Sequence, residues 1–576
     1  MRSSHAALAA ACFLSALLGA CGGSGGSSPS APPLGAGPSP APPPSGAPAP
    51  APAPAPAPDP APIPTPPGAW AEASIGGAPA QLYGCDGTPG DSGFNSFRYV
   101  RAGASGNGTR TNPFGSIQAA YASVSAGQKV TLCVEEGDYS ENVGAEVDDM
   151  SRGYRFVGAF AAGSDFTRRN LAGTLSRVRA ASPAQAVLRL GNHGDITVDG
   201  FDLSGGLRGL YINGYAAGRR LAVRNNRVHH NGVVVASAAD LPAGVNENSI
   251  GGVVVSGSDV SVEYNEIHSN DGAHNGAGLN IGGAATSEEN QLVNGQLVIG
   301  SAQARVRYNR IHHNTLRWDT PHGAGMTLNM NVVVQRNLVW ANQSLKWSGQ
   351  GGDGVGGGLI AQSPHATVTI ADNWFEGNRA LKCGAAFFAD EASVASAYDN
   401  VVIGNDGDSA ICLDGRAGGD ADTDRSYMTL ANNTVALNTG AAVLVQDATL
   451  HAFNNLFWHN AAADDLTLSE GGAQPQVVFA DANVMKGSYG ARPGVTVSNA
   501  TNLEAASVFV SPTLAAFGQL SLGAIDLRPG SAVGSSGLWV FTPALAYAGA
   551  LAQVPGFDAQ GVARVQGSVR FGAYQQ

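Results

Sequence analysis

The sequence predicts an all-β parallel solenoid, a β-helix, closed at its start by a capping helix. Three observations carry this. The six-residue pattern Asn-x-[Val/Ile/Phe]-x-x-Asn occurs eight times, beginning at Asn226, Asn265, Asn309, Asn337, Asn373, Asn400, Asn433 and Asn455. The steps between copies are 39, 44, 28, 36, 27, 33 and 22 residues. The shortest step approximates one turn of a repeating unit, and the longer ones carry insertions. No 3.6-residue periodicity runs between the copies, which argues against helical repeats. The intervening stretches are short β-branched runs, such as Gly252-Val253-Val254-Val255 and Asn331-Val332-Val333-Val334, set off by Gly and Asn.

The pattern has a physical reading. Each coil adds a strand to a parallel sheet about 4.8 Å above the last. An Asn at the same bend of every coil passes amide hydrogen bonds up and down the stack. The apolar third position (Val228, Ile267, Ile311, Val339, Phe375, Val402, Val435, Phe457) should point inward, and its neighbours outward, because strand side chains alternate. This pattern resembles the right-handed parallel β-helix family that includes pectate-lyase-like enzymes. The resemblance implies a right-handed coil and a polysaccharide-directed function.

Taken in order, residues 1–21 read as a lipoprotein signal. Arg2 supplies the positive start, and Ala6–Leu18 is an apolar run too short to span a membrane as a mature helix. Leu18-Gly19-Ala20-Cys21 resembles a lipobox, with Cys21 the lipidated residue. The expected location is therefore the cell envelope, at the outer membrane or cell surface. Residues 22–69 are Gly/Ser-rich and then Ala-Pro repeats, lacking the apolar bulk to pack, and read as a stalk. Residues 70–148 form the cap and first coil. Tyr99-Val100-Arg101 begins a strand, and a helix follows from Asn112-Pro113-Phe114-Gly115-Ser116 to about Ser125. A solenoid end needs such a cover because its core has no neighbour there. Residues 149–470 carry the repeats, interrupted at 236–250, 282–302 and the acidic 414–427. Residues 471–576 are less regular and read as final coils and a C-terminal cap, with Asp526–Val533 and Arg570–Tyr574 resembling the closing segments of secreted β-helix proteins.

Cys85, Cys133, Cys383 and Cys412 remain after the signal, an even number that suggests disulfides in an exported chain. The favoured pairs are Cys85–Cys133 and Cys383–Cys412, with free buried thiols as the alternative. A formal net charge of −12 argues against general nucleic-acid affinity.

Four constellations could carry chemistry. Asp271, Asp319 and Asp353 each precede a Gly-rich turn, with His274 and His322 alongside two of them. Stacked carboxylates repel unless they share a cation or proton, and calcium accepts several carboxylate oxygens. Arg317, Lys346 and Lys382 fall three or four places after the last Asn of their motifs, with Trp318 and Trp347 adjacent. A partly desolvated cation can serve as a base, and Trp faces suit sugar rings. His229, His268 and His312 share one motif position, where surface stacking is favoured over metal binding. Asp420-Ala421-Asp422-Thr423-Asp424 resembles the start of a calcium loop, yet no Gly follows and Ala431 stands where Glu should close it.

The expectation is a surface lipoprotein that binds an anionic polysaccharide and, if an enzyme, cleaves it by β-elimination. Lys346, Lys382 or Arg317 would be catalytic. Trp318, Trp347, His274 and His322 would bind substrate, and Asp271, Asp319 and Asp353 would hold calcium, with no organic cofactor. A non-catalytic adhesin or glycan-binding module is the alternative, and oligomeric state is left open.

Overall fold

The computed structural model describes residues 72–88, 93–145, 147–213, 218–283, 289–293, 296–347, 354–415, 425–469, 477–487 and 493–502, with short pieces of the chain from 509 to 573. The proposed signal, Cys21, the stalk, Asp353 and residues 420–424 lie outside the described residues.

Three long parallel sheets run the length of a right-handed β-helix. Sheet I has fourteen strands, from Ser96–Val100 to Val495–Ser498. Sheet II has eleven, from Gly137–Ser140 to Leu456–Trp458, and sheet IV eleven, from Val143–Ala145 to Leu466–Leu468. A short sheet III lies between sheets II and IV in four coils: Asp271–Gly272, Thr315–Trp318, Gln343–Lys346 and Arg379–Ala380. Within a coil the chain runs from sheet I to II, then III where present, then IV.

The two Asn residues of each motif mark the bends on either side of sheet II. The first ladder runs from Asn226 to Asn455 with side-chain amide bonds of 2.9–3.1 Å between successive coils. It continues one coil beyond the sequence pattern, to Asn483 (3.0 Å). The pattern missed this copy because Met485 and Ser488 replace its third and sixth residues. The second ladder runs from Asn231 to Asn460 and ends on Asp465 (3.1 Å). The residue before each ladder Asn is left-handed: Tyr264 and Ser269 have φ of 58° and 52°, Tyr308 and His313 56° and 53°. Such a bend costs roughly 1–2 kcal/mol for a non-glycine residue. The ladder offsets it by satisfying the buried amides at every bend. All eight third-position residues are buried in one continuous core.

Helix α1 (Ile117–Ala122) covers the first coils, with Ile117, Ala120 and Tyr121 turned into the core. It is shorter than the sequence suggests, because the chain turns at Gly127 (φ 76°) to enter the strand Lys129–Glu135. The Glu141 carboxylate caps its start, accepting from the Ile117 (2.8 Å) and Gln118 (3.0 Å) amides. Cys85 bonds to Cys133, and Cys383 to Cys412, with Cα–Cα distances of 5.8 and 5.6 Å.

Both flanking segments lie along the side of the coils. Near the start, Gly76 donates to Asn225 (3.1 Å), Tyr83 donates to Asp199 (3.0 Å), and the Ala73 carbonyl accepts from Arg310 (2.6 Å). For the closing segment the sequence predicts an end cap; its described residues instead form a strap on the flank. Arg564 pairs with Asp399 at 2.6 Å with both side chains buried. Gly572 and Ala573 donate to the Asn454 carbonyl (2.8 Å) and the Thr434 hydroxyl (3.0 Å). The strap lies there because the outward positions of sheet II become mostly apolar from Leu338 onward, with Glu376 and Thr434 the polar exceptions. Ala559, Phe571 and Ala573 pack on Leu338, Trp340, Trp374, Val401 and Trp458.

Candidate functional site

Sheet III carries part of the expected site, and the structure separates its members. Asp271 pairs in register with Thr315, directly after the second ladder. Asp319 lies four residues further along its own coil, past Trp318, because that coil has a longer path from ladder to sheet IV. The two carboxylates therefore do not stack as a calcium pair. Asp271 forms an ion pair with Arg317 at 2.8 Å. Burial raises its carboxyl above the ordinary range, and Arg317 pulls it back. That pairing gives Arg317 a structural partner rather than a role as a base. Lys346 aligns with Trp318, not with Arg317. Trp347 is only 7% exposed, packed with Leu207, Val235, Ile250 and Ala273, while Trp318 is half-buried against it at a ring separation of 4.3 Å. The first insertion, through Leu241 and Val245, closes over these rings. Trp347 is thus a core residue and offers no open face to a sugar. Among the described residues no group of three or more His, Cys, Asp or Glu side chains converges as a metal site.

Sheet IV gathers the remaining members. Its strands alternate inward and outward residues: Phe387 and Ala389 face the core, Phe388 and Asp390 the outside. The first outward column is mixed in the early coils, with Asn280 between Val254 and Thr327. It turns apolar at Ile360, Phe388 and Cys412, where Val355 and the Cys383–Cys412 bridge cover it. The second column stays polar. Gln362 pairs with Asp390, and Asp414 with Gln446. The Ala389–Leu413 pair carries the register on to set Asp390 beside Asp414.

At the early end, His274 and His322 stack with ring centroids 4.8 Å apart. Burial lowers both imidazoles, His322 to about 4, while the Asp319 carboxylate pulls each back up. Burial thus favours the neutral form of both. Asn248, from the first insertion, bonds His274 Nδ1 (2.5 Å) and accepts from the Asn275 amide (2.9 Å). Its carbonyl accepts from the Asn280 amide (2.7 Å). Gln362 bonds the His322 side chain.

At the later end, burial pushes both Asp390 and Asp414 up to about 7. Asp414 adds to the rise of Asp390, and Asp447 to that of Asp414. The exposed Lys382 lies near enough to pull Asp414 down. Two neighbouring carboxyls that resist ionisation can divide acid and base roles between them. His274, His322, Asp319 and Lys382 stand out in the sequence, whereas Asn248, Asn275, Asn280, Gln362, Asp390 and Asp414 do not. For the last two a signal existed: Phe387-Phe388-Ala389-Asp390 and Ile411-Cys412-Leu413-Asp414 both end an apolar strand in Asp on successive coils.

The histidine column sits elsewhere, on the outer face of sheet II. His229, His268 and His312 stack at 5.1 and 4.8 Å, and His312 stacks on Trp340 at 3.9 Å. Burial lowers His268 to about 2.

The architecture settles the class of protein: a right-handed parallel β-helix. A family model described as "Right handed beta helix region" matches residues 168–369 and 251–421. Among solved structures, one titled "Crystal structure of pectate lyase Pel9A" is similar at a TM-score of 0.36 and 15% identity, covering 84% of this chain and 97% of that chain. No curated protein matches the chain.

Proposed function

We propose that this β-helix binds an anionic polysaccharide along the outer face of sheet IV and cleaves it there, at the surface of the cell envelope. The observation that carries the reading is the polar column Gln362–Asp390–Asp414–Gln446, one side chain per coil, with two adjacent carboxyls held near neutrality. Lys382 supplies the positive charge that a uronate carboxylate needs. Asp414, which Lys382 biases toward the ionised form, takes the proton at C5 of the uronate. The C4–O bond breaks, its electrons pass to oxygen, and the C5–H electrons form the C4=C5 double bond. Asp390, still protonated, donates to the leaving oxygen. The surface location rests on the Leu18-Gly19-Ala20-Cys21 lipobox and the stalk that follows.

The test incubates the full chain with pectate, alginate and glycosaminoglycans, with and without calcium, and follows ultraviolet absorbance of unsaturated products. A signal lost in Lys382→Ala and Asp414→Asn, and kept in Lys346→Ala, supports the assignment. Silence on every polymer rejects elimination on those substrates. Silence with retained binding moves the reading to a non-catalytic glycan-binding surface protein.

A further inference from the structure

We propose that the polar recess around Asn248 is a subsite that reads free sugar hydroxyls, on the sheet IV face three coils before Asp390 of the carboxyl pair. This inference rests on the polysaccharide reading above. Asn275 and Asn280 are each 6% exposed. Their Oδ1 atoms, and Nδ1 of His322, are buried with no hydrogen-bond partner among the described residues. Native folds leave few buried polar atoms unpaired, and here three fall on one wall.

The orientation of Asn280 is fixed. A backbone carbonyl only accepts, so the Asn280 atom 2.7 Å from the Asn248 carbonyl is the amide nitrogen, which leaves Oδ1 as the unpaired atom. Asn275 turns its nitrogen to the side-chain oxygen of Asn248, at 2.9 Å, and its own Oδ1 is unpaired. Asn275 pairs with His322 across adjacent coils, and Asn280 lies beside Thr327, so the bare atoms belong to neighbouring turns of one face. His322 is linked through its side chain to Gln362, the residue aligned with Asp390. The recess and the carboxyl pair are therefore parts of one track.

Carbonyl oxygens repel a carboxylate and accept from a hydroxyl. The ligand group that fits is an uncharged, donor-rich edge of a sugar ring. Asn248, half-buried on the first insertion, covers the two amides and gives way as hydroxyls take its place. An O-acetyl group removes the donor and adds bulk, so the recess rejects O-acetylated glycan.

The experiment uses the full chain and whichever of pectate, alginate or hyaluronan it retains best, against the same polymer chemically O-acetylated. The wild-type protein should bind the free-hydroxyl form about tenfold more tightly, the worth of one or two hydrogen bonds. Asn280→Leu should reduce that preference to within about twofold; it also removes the donor to the Asn248 carbonyl and so lowers the melting temperature, and binding is compared well below the transition. Asn275→Leu is the second variant and should act in the same direction. Equal binding of both forms by the wild-type chain overturns the subsite while leaving the polysaccharide reading intact. So does unchanged preference in both variants. No retention of any polymer by the wild-type chain overturns the polysaccharide reading, and this inference with it.

Discussion

The outer faces of sheets II and IV are built on the same coils and differ in how their unfinished groups are covered. The early coils of sheet II carry Arg227–Glu266 at 2.9 Å and the stacked imidazoles, and its later coils are apolar beneath the closing strap. Sheet II has irregular groups too: burial pushes the Glu376 carboxyl up to about 7, beside Trp340. Glu376 sits in the column of Trp340 and Ile403, which the strap cluster includes. On sheet IV the amides of Asn275 and Asn280, whose oxygens are unpaired, are held by the half-buried Asn248, one through its side chain and the other through its main-chain carbonyl. The carboxyls pushed to about 7 there come as an adjacent pair with Lys382 close by. An irregularity sealed under an apolar strap has no route to a ligand. If Asn248 gives way to hydroxyls as proposed, one beside it does, and local rules broken in that setting mark a surface kept for a ligand.

The sharpest way to break this contrast is Asp414→Asn. If sheet IV is the working face, turnover of a cleaved polymer should fall about a hundredfold or more, the usual weight of a general base. Stability should hold or improve, because the amide mimics the protonated form that burial already favours. A drop in melting temperature with unchanged turnover would make sheet IV a structural face like sheet II.

Arg564→Ala makes the converse cut. It removes the partner of the buried Asp399, whose carboxyl burial already pushes well up and which takes a proton once unpaired, so the loss should fall below the roughly 3–5 kcal/mol of a stranded charge. Denaturant unfolding should show that loss. Polysaccharide binding by the protein that remains folded should not change, because the packing of the strap is on sheet II. A loss of binding that tracks the loss of the strap would join the two faces into one site.

The ladders hold both faces in register, and they test how cooperative that frame is. Asn337 accepts from the Asn309 amide and backbone and donates onward to Asn373. Asn483 accepts in the same way from Asn455, and its amide donates to the Ala452 and Asp481 carbonyls, with no further ladder Asn beyond it among the described residues. Replacing Asn337 by Ala should cost about 2–3 kcal/mol, through buried groups left unpaired on both sides. Asn483→Ala should cost about 1 kcal/mol less. Equal effects in urea unfolding would mean that the terminal coil is held as firmly as the middle.

The frame was far more legible in the sequence than the site. The Asn pattern repeats because every coil must solve the same bend, so its period, the inward third positions and the ladder follow from the residues alone. The site residues occur once each, and their grouping depends on loop lengths that spacing does not reveal. Counting back from the Gly-rich turns put Asp271 and Asp319 in equivalent places. The ladder, which fixes the true register, puts them four residues apart along the coil. Trp347 looked like a sugar platform because nothing in the sequence says that the insertion at 236–250 folds onto it. Asn248 was invisible for the same reason.

The smallest effect concerns acid. His268 is buried between two other imidazoles, and its folded pKa of about 2 lies below the ordinary 6.5. Between those values the unfolded chain binds the extra proton, so this contribution to stability is complete above about pH 6.5 and declines as pH falls. Asp390 and Asp414 work the other way, binding protons in the folded state up to about 7 and so favouring the fold as pH falls toward their unfolded range. The imidazole stack and the carboxyl pair thus oppose each other between about pH 4 and 6.5. His268→Gln should remove one contribution, gaining about 1 kcal/mol at pH 6 relative to pH 7.5. Asp390→Asn should shift the same difference in the opposite direction. Melting curves of the two variants across that range separate the two clusters by sign, and a same-sign response would show that one of the two burials is relieved before the chain unfolds.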